Sequence, residues 1–409
     1  MSAIQITSEI KPLKKVLLHR PGNELLNLTP SNLENLLFDD IPYLAAAQKE
    51  HDLFADIFRQ KGIEVVYLEN LMAEVLDMSE EIKKRFLEQY LFEARIYTKE
   101  YKKAVFDFLM RIPDNKELVL KTMEGINLNE LNGSVFNSLE NHIKNHDKLI
   151  IDPMPNLYFT RDATAAIGRG ICINSMYSVT RKRETVYSEY IFNHHPDFKE
   201  NVKQYYKRTD PFHIEGGDIT NLNEHIIAVG VSERTCADAV EALARNLFAD
   251  NDSAIDTVLA FTIPAKRAFM HLDTVFTQVD TDIFVVHPGI LRTLEVFELK
   301  AASGGGVNIK QVQGSLERIL ASYLKLDAVS LIHCGAGNKI AAEREQWNDG
   351  SNTLCIAPGE VIVYERNNIT NELLDARGIK LHPILSSELS RGRGGPRCMS
   401  MPLVRSKGV

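Results

Sequence analysis

The sequence predicts an α/β fold made of repeated strand–helix–strand units, interrupted by one helical insert. Three observations predict it. A short apolar run, a helix-period segment and a second apolar run recur along the chain, twice with a glycine closing the helix. Between residues 72 and 147 strand-like runs nearly vanish and helix caps take their place. The chain has 409 residues, 44% of them hydrophobic and 25% charged, enough to bury a core without disulfide staples.

In chain order, residues 14–20 read as a strand closed by Pro21-Gly22. A helix follows over 43–61, Gly62 stops it, and 63–68 resumes as a strand. In the insert Ser79 caps a helix that aligns Ile82, Phe86 and Tyr90 on one face. Thr98 caps a second, with Tyr101, Val105 and Phe108, and Asp114 with Glu117 makes a capping box for a third. Four or five helices are expected there. Residues 1–71 and 148–409 then form one catalytic α/β domain and 72–147 the insert. A further strand–helix–strand unit spans 226–261, with its helix at 237–248, and 282–287 begins another. The last spans 361–364, a helix at 371–376 capped by Thr370, a stop at Gly378 and a strand at 379–384. The spacing is too irregular for a solenoid.

Lys plus Arg number 47 and Asp plus Glu 55, a net charge of −8, which argues against a nucleic-acid partner. Five cysteines in so long a chain are not a secreted disulfide framework. No run approaches a membrane span, and the first residues lack the pattern of a signal peptide. A cytoplasmic protein is expected.

Four segments carry polar residues beside Gly and Pro, where chemistry tends to sit. In residues 152–162 two prolines and three aromatic or apolar residues lead to Thr160-Arg161-Asp162. In His213-Ile214-Glu215-Gly216-Gly217-Asp218 an extended chain puts His213 and Glu215 on one face. In Met270-His271-Leu272-Asp273-Thr274 the same period pairs His271 with Asp273, an imidazole with a carboxylate in reach. In residues 391–402 Cys398 follows a loop rich in Gly and Arg, whose cations favour thiolate. Cys172, Cys236, Cys334 and Cys355 read as small core residues. His194-His195 reads as solvated. Residues 333–339 lack phosphate-loop spacing, and no Cys-x-x-Cys or His-Glu-x-x-His occurs.

If Asp162, Glu215, His271, Asp273 and Cys398 converge, one thiol and one imidazole meet three carboxylates. That set suits a planar cation with several N–H donors, such as a guanidinium. A substrate of this kind with an α-carboxylate also needs arginines, and Arg181, Arg234 and Arg393 lie beside the segments.

The chain resembles the arginine deiminase family of the guanidine-modifying, amidinotransferase-like (pentein) superfamily over essentially its whole length. The carriers are residues 155–162, Ile214-Glu215-Gly216-Gly217-Asp218, Val231-Ser232-Glu233-Arg234-Thr235, Met270-His271-Leu272-Asp273-Thr274, residues 344–350 and Arg397-Cys398-Met399-Ser400-Met401-Pro402. Residues 8–10 and 19–22 match as well. The resemblance implies a five-bladed pseudo-symmetric α/β propeller with an inserted helical bundle. It implies hydrolysis of L-arginine to L-citrulline and ammonia in bacterial arginine metabolism, with no cofactor and no metal. Cys398 is then the nucleophile that forms a thiouronium intermediate, and His271 the acid and base. Asp162, Glu215 and Asp273 hold the guanidinium or orient His271. Arg181, Arg234 and Arg393 clamp the α-carboxylate, and Asn156, Phe159 and Gly392 line the pocket. Arg183 competes with Arg181 for its place, and His213 is not carried over. Relatives carry Pro-Phe after the aspartate where this chain has Ala163-Thr164. The implied partner is the small-molecule substrate, without nucleic acid or membrane, and the expected assembly is a homo-oligomer. The rival readings are an amidinotransferase, a dimethylarginine hydrolase, a catalytically silent binding protein, and a metal hydrolase using His213, Glu215 and His271.

Overall fold

The computed structural model describes residues 3–131 and 149–406. It is a mixed α/β fold, and the strands among the described residues fall into six sheets. Five of these share one plan: a middle strand pairs antiparallel with one neighbour and parallel with the strand after a crossover helix. In the first, Leu13–Leu18 pairs with Met401–Arg405 from the C-terminal end and, after helix Leu44–Gln60, with Glu64–Tyr67. In the second, Gly170–Ile173 pairs with Thr164–Ile167 and, after helix Thr185–His194, with Lys203–Tyr206. The third joins Ile219–Asn221, Ile226–Val231 and Thr257–Thr262 around helix Ala237–Phe248. The hairpin Glu295–Ala301 and Val307–Val312 widens it to five strands. The fourth joins Phe276–Gln278, Ile283–Val286 and Ser330–His333, with helix Leu316–Leu324. The fifth joins Leu354–Ala357, Glu360–Tyr364 and Lys380–Ile384, with helix Asn368–Asp375. A parallel neighbour requires a crossover, and an amphipathic helix that buries its apolar stripe on the sheet is the short way to make one. Helix Ala237–Phe248 does so with Ala239, Val240, Leu243, Ala244 and Leu247, all buried against Ile227, Val229 and Val258.

The helical segment runs through Leu68–Asp77, Glu80–Glu93, Lys99–Met110 and Asn115–Glu124. Its first helix starts at Leu68, inside the strand expected at 63–68. The part of the expected insert from 132 to 147 lies outside the described residues. Ser79 accepts from the Glu81 N–H and Asp114 from the Glu117 N–H, as their spacing predicts, whereas Thr98 makes no side-chain cap bond.

Three local expectations are corrected. Thr370 does not cap the last helix: Asn367 stands there, and the Thr370 hydroxyl bonds Glu345 one turn inside. His195 is not solvated but buried, with Nε2 2.8 Å from Glu74. Residues 271–274 are not a strand, because Leu272–Thr274 closes a 3₁₀ turn. No helix among the described residues is long and apolar enough to cross a membrane.

Candidate active site

In each of the five sheets, the short segment that leads into the first, antiparallel strand delivers a polar side chain to one place. Asp162 precedes Thr164–Ile167, and Glu215 and the turn Gly216–Asp218 precede Ile219–Asn221. His271 and Asp273 precede Phe276–Gln278, Asn352 precedes Leu354–Ala357, and Cys398 precedes Met401–Arg405. All six residues are buried. The Arg161 N–H bonds the Cys398 carbonyl at 3.1 Å and so ties the first and last of these segments together.

The Cys398 thiol reaches Asp273 Oδ2 at 3.6 Å. His271 Nε2 lies 2.8 Å from Glu215 Oε2, and its Nδ1 faces Asp162 Oδ1 at 3.7 Å. Glu215 also accepts the Tyr177 N–H at 3.1 Å and lies 3.9 Å from Arg181 and from Arg234. A Cβ on Gly217 would come within 2.7 Å of the His271 ring, so only glycine lets the loop lie flat against the imidazole.

Burial alone would lower the His271 pKa, but Asp162, the bond to Glu215 and Asp218 outweigh it and raise it to about 9. Burial pushes Glu215 up, while His271, Arg234 and Arg181 pull it down to about 2. The pair is therefore imidazolium and carboxylate at neutral pH. At the thiol, burial and the acids outweigh the arginines that favour thiolate. Burial first, then Asp273, Asp162 and Asp349, raise the Cys398 pKa well above its ordinary value. The arginines are spent elsewhere: Arg397 bonds Asp273 Oδ2 at 2.8 Å and Glu9 at 3.1 Å, and Arg393 stacks on Trp347 at 3.6 Å.

Arg181, not Arg183, enters the site. Its Nη1 bonds Asp162 Oδ2 at 2.8 Å and its Nε bonds Glu184, while Arg183 turns to the Asp152 carbonyl. Arg234 lies over the Tyr177 ring at 5.8 Å. Arg393 stands 3.7 Å from Asp39, in a left-handed conformation with φ 63°. Asn156 bonds the Leu36 carbonyl, and Phe159 packs under the Gly392–Gly394 turn, where a Cβ on Gly392 would fall 2.0 Å from the Tyr158 hydroxyl. Ala163 and Thr164 leave Asp162 braced: Asn174 bonds the Asp162 carbonyl at 2.7 Å, and the Thr164 hydroxyl returns to Thr160. His213 stays outside, bonded to the Arg234 carbonyl and edge-on to Tyr177. Cys172, Cys334 and Cys355 are buried, and Cys236 is half-buried.

Buried polar atoms left without a partner are costly. Here they include Asp162 Oδ1 and Asp273 Oδ1, beside the thiol, and Nε of Arg234 with Nε and Nη1 of Arg393. Asp162, Glu215 and His271 also approach one another closely enough to share an ion. Arg181 and Arg234 beside those carboxylates already supply the opposing charge.

Sequence reasoning missed Asn352, Asp349 and the Arg397–Glu9 pair. Asp349 is buried with φ 58° and one oxygen unpartnered, and burial raises its pKa to about 7.

A family model described as arginine deiminase matches residues 34–405. The arginine deiminase of Treponema denticola is 57% identical over 406 residues, which cover 99% of each chain. Those of Clostridium perfringens and Streptococcus agalactiae are 52% and 51% identical, with 98% of each chain covered. Among solved structures, a dimethylarginine dimethylaminohydrolase variant, as its adduct with S-methyl-L-thiocitrulline, is similar over 95% of this chain and 99% of its own. Its TM-score is 0.52 at 13% identity, a likeness of fold alone.

Proposed function

The chain belongs to the arginine deiminase family, and from that premise we propose how its own residues carry the reaction. The reaction is hydrolysis of L-arginine to L-citrulline and ammonia at a guanidino C–N bond. The observation that carries the residue assignment is the set of unpartnered atoms. Asp162 and Asp273 offer carboxylate oxygens beside Cys398, and Arg234 and Arg393 offer guanidinium nitrogens. A ligand with a cationic planar head and a carboxylate tail answers both sets.

The substrate guanidinium takes the place of Arg181 on Asp162 and bonds Asp273. Arg181, released, turns to the α-carboxylate with Arg234 and Arg393, while Asn156, Phe159 and Gly392 shape the channel. The arriving cation offsets the acids that hold the thiol protonated, so Cys398 loses its proton to solvent and becomes thiolate. Sγ attacks Cζ and the S–C bond forms. One terminal C–N bond breaks as His271 Nδ1 gives its proton to the departing nitrogen, which leaves as ammonia. The neutral imidazole, still held by Glu215, then takes a proton from the water that attacks the thiouronium carbon. The S–C bond breaks with its electron pair returning to sulfur, the remaining O–H proton passes through solvent back to the thiolate as the C=O forms, citrulline leaves, and His271 is again imidazolium.

The reading extends to architecture. The five like sheets are blades of one pseudo-five-fold propeller, and the helices near 72–147 are an insert in a catalytic domain of 1–71 and 148–409. It extends also to a cytoplasmic homo-oligomer whose small-molecule partner is L-arginine. Purified chain with arginine as sole substrate should release citrulline and ammonia in equal amounts, and Cys398→Ala should release neither. Release that requires an acceptor amine would favour an amidinotransferase instead.

A further inference from the structure

Four of the five segments that lead into the first strands of the sheets carry the residues assigned above. The fifth, before Leu354–Ala357, carries Asn352, and its side chain reaches the nucleophile. Asn352 is fully buried. Its Nδ2 donates to Cys398 Sγ at 3.1 Å and to the Asp273 carbonyl at 3.1 Å. Its Oδ1 accepts the backbone N–H groups of Arg397 and Cys398, both at 3.1 Å. Two donors on one side and an acceptor on the other permit a single orientation of the amide, so it is N–H, not oxygen, that meets the sulfur. The Gly395 turn sits directly on this side chain, since a Cβ there would lie 2.8 Å from Asn352 Oδ1. The donor is thus fixed before any reaction begins.

We propose that Asn352 is a further catalytic residue, whose side-chain N–H stabilises the Cys398 thiolate both as it attacks and as it is expelled. The proposal rests on the reading of Cys398 as nucleophile. Asp273 Oδ2, also within reach of the sulfur, is an acceptor that serves the thiol and opposes the thiolate, while the Gly395 backbone N–H adds a second donor on the thiolate's side. A neutral donor preserves the carboxylates' attraction for the substrate cation, which a lysine at this position would weaken. A hydrogen bond to an ionised acceptor is roughly twice as strong as one to a neutral acceptor, so the N–H acts selectively where charge develops on sulfur.

The test uses Asn352→Leu, which keeps the approximate size but removes the donor without adding a charge, and Asn352→Ser. Each is read by kcat, by KM for arginine, and by the alkylation rate constant of Cys398 with iodoacetamide near pH 8, which follows the thiolate fraction. Both kcat and the alkylation rate should fall roughly ten- to hundredfold, with KM within about threefold of the parent. A merely structural role would loosen the pocket, leaving alkylation as fast or faster. Either folded variant with kcat within about threefold of the parent, or slowed turnover with undiminished alkylation, overturns the proposal. If neither variant folds, the parent decides. The Asn352 side-chain amide proton must shift when Cys398 is ionised at high pH, and an unmoved signal overturns the assignment. Cys398→Ala is run alongside. If it still turns over arginine, it is the nucleophile reading that fails, whatever the Asn352 variants do.

Discussion

Replacing Glu215 by glutamine removes one charge and keeps the shape of the group that holds His271. Glu215 is fully buried with its Oε2 2.8 Å from the ring, and it balances Arg234 and Arg181 at 3.9 Å. The His271 pKa is raised from 6.5 to about 9, by Asp162 and Asp218 as well as by Glu215. A gap of that size corresponds to about 3 kcal/mol of preference for imidazolium. With glutamine, burial and the two uncompensated arginines act against the cation, and the value should fall to its ordinary range or below. The working form is the protonated one, present below the pKa and lost as pH rises through it. The alkaline limb of kcat/KM should therefore move from near pH 9 to near pH 6.5 or lower. At pH 7.5 the imidazolium fraction falls from nearly all to about a tenth, so kcat/KM should drop about tenfold from protonation alone. Citrulline formation measured from pH 5 to 10, with the ring titration of His271 followed by nitrogen-15 resonance, reads both quantities. An alkaline limb that stays where the parent has it would refute the argument.

Other residues give independent outcomes. Asp349→Asn removes one of the carboxylates that, after burial, hold the thiol protonated, so iodoacetamide should alkylate Cys398 faster than in the parent. A rate unchanged or slower would count against that electrostatic picture. Gly392→Ala places a Cβ against the buried Tyr158 hydroxyl, so the turn carrying Arg393 must shift and KM for arginine should rise by roughly tenfold or more. His19 is fully buried between Glu69 at 2.8 Å and Glu24 at 3.3 Å. His19→Gln leaves those carboxylates without their cation and should cost about 3 kcal/mol or more in denaturant unfolding, with kcat per folded chain unchanged. Burial lowers the His19 pKa and the two carboxylates more than restore it, to about 10. Its contribution to stability is therefore complete below pH 6.5 and is lost as pH rises through about 10, and an alkaline melting series on parent and variant should converge there.

The strand–helix–strand units were readable where a glycine closes the helix or a turn flanks the strands. The segment around Ala237–Phe248 is placed to the residue, because its apolar stripe has a clean helical period. The unit around Gly170–Ile173 escaped. Its two antiparallel strands, Thr164–Ile167 and Gly170–Ile173, are buried on both faces and show no alternation, and their parallel neighbour, Lys203–Tyr206, is only four residues long. Asp162, Glu215, His271, Asp273 and Cys398 were legible because each sits in a compact motif of Gly, Pro and polar residues. Asn352 was not, because Ser351-Asn352-Thr353 is an ordinary turn composition until the fold sets it against Cys398. The ionisation of the thiol is not legible in the sequence for a related reason. Sequence neighbours put Arg393 and Arg397 beside Cys398, but the folded chain gives Arg397 to Glu9 and Asp273 and lays Arg393 on Trp347. Proximity along a chain says little about which partner a long, five-donor side chain will choose.

The most direct test of the account is to stop the reaction with acid during turnover of arginine and weigh the peptide that contains Cys398. The account predicts a heavier Cys398 peptide, carrying arginine less ammonia, that forms and decays at rates compatible with kcat. Full turnover with no such adduct, or with the adduct on another residue, would contradict it.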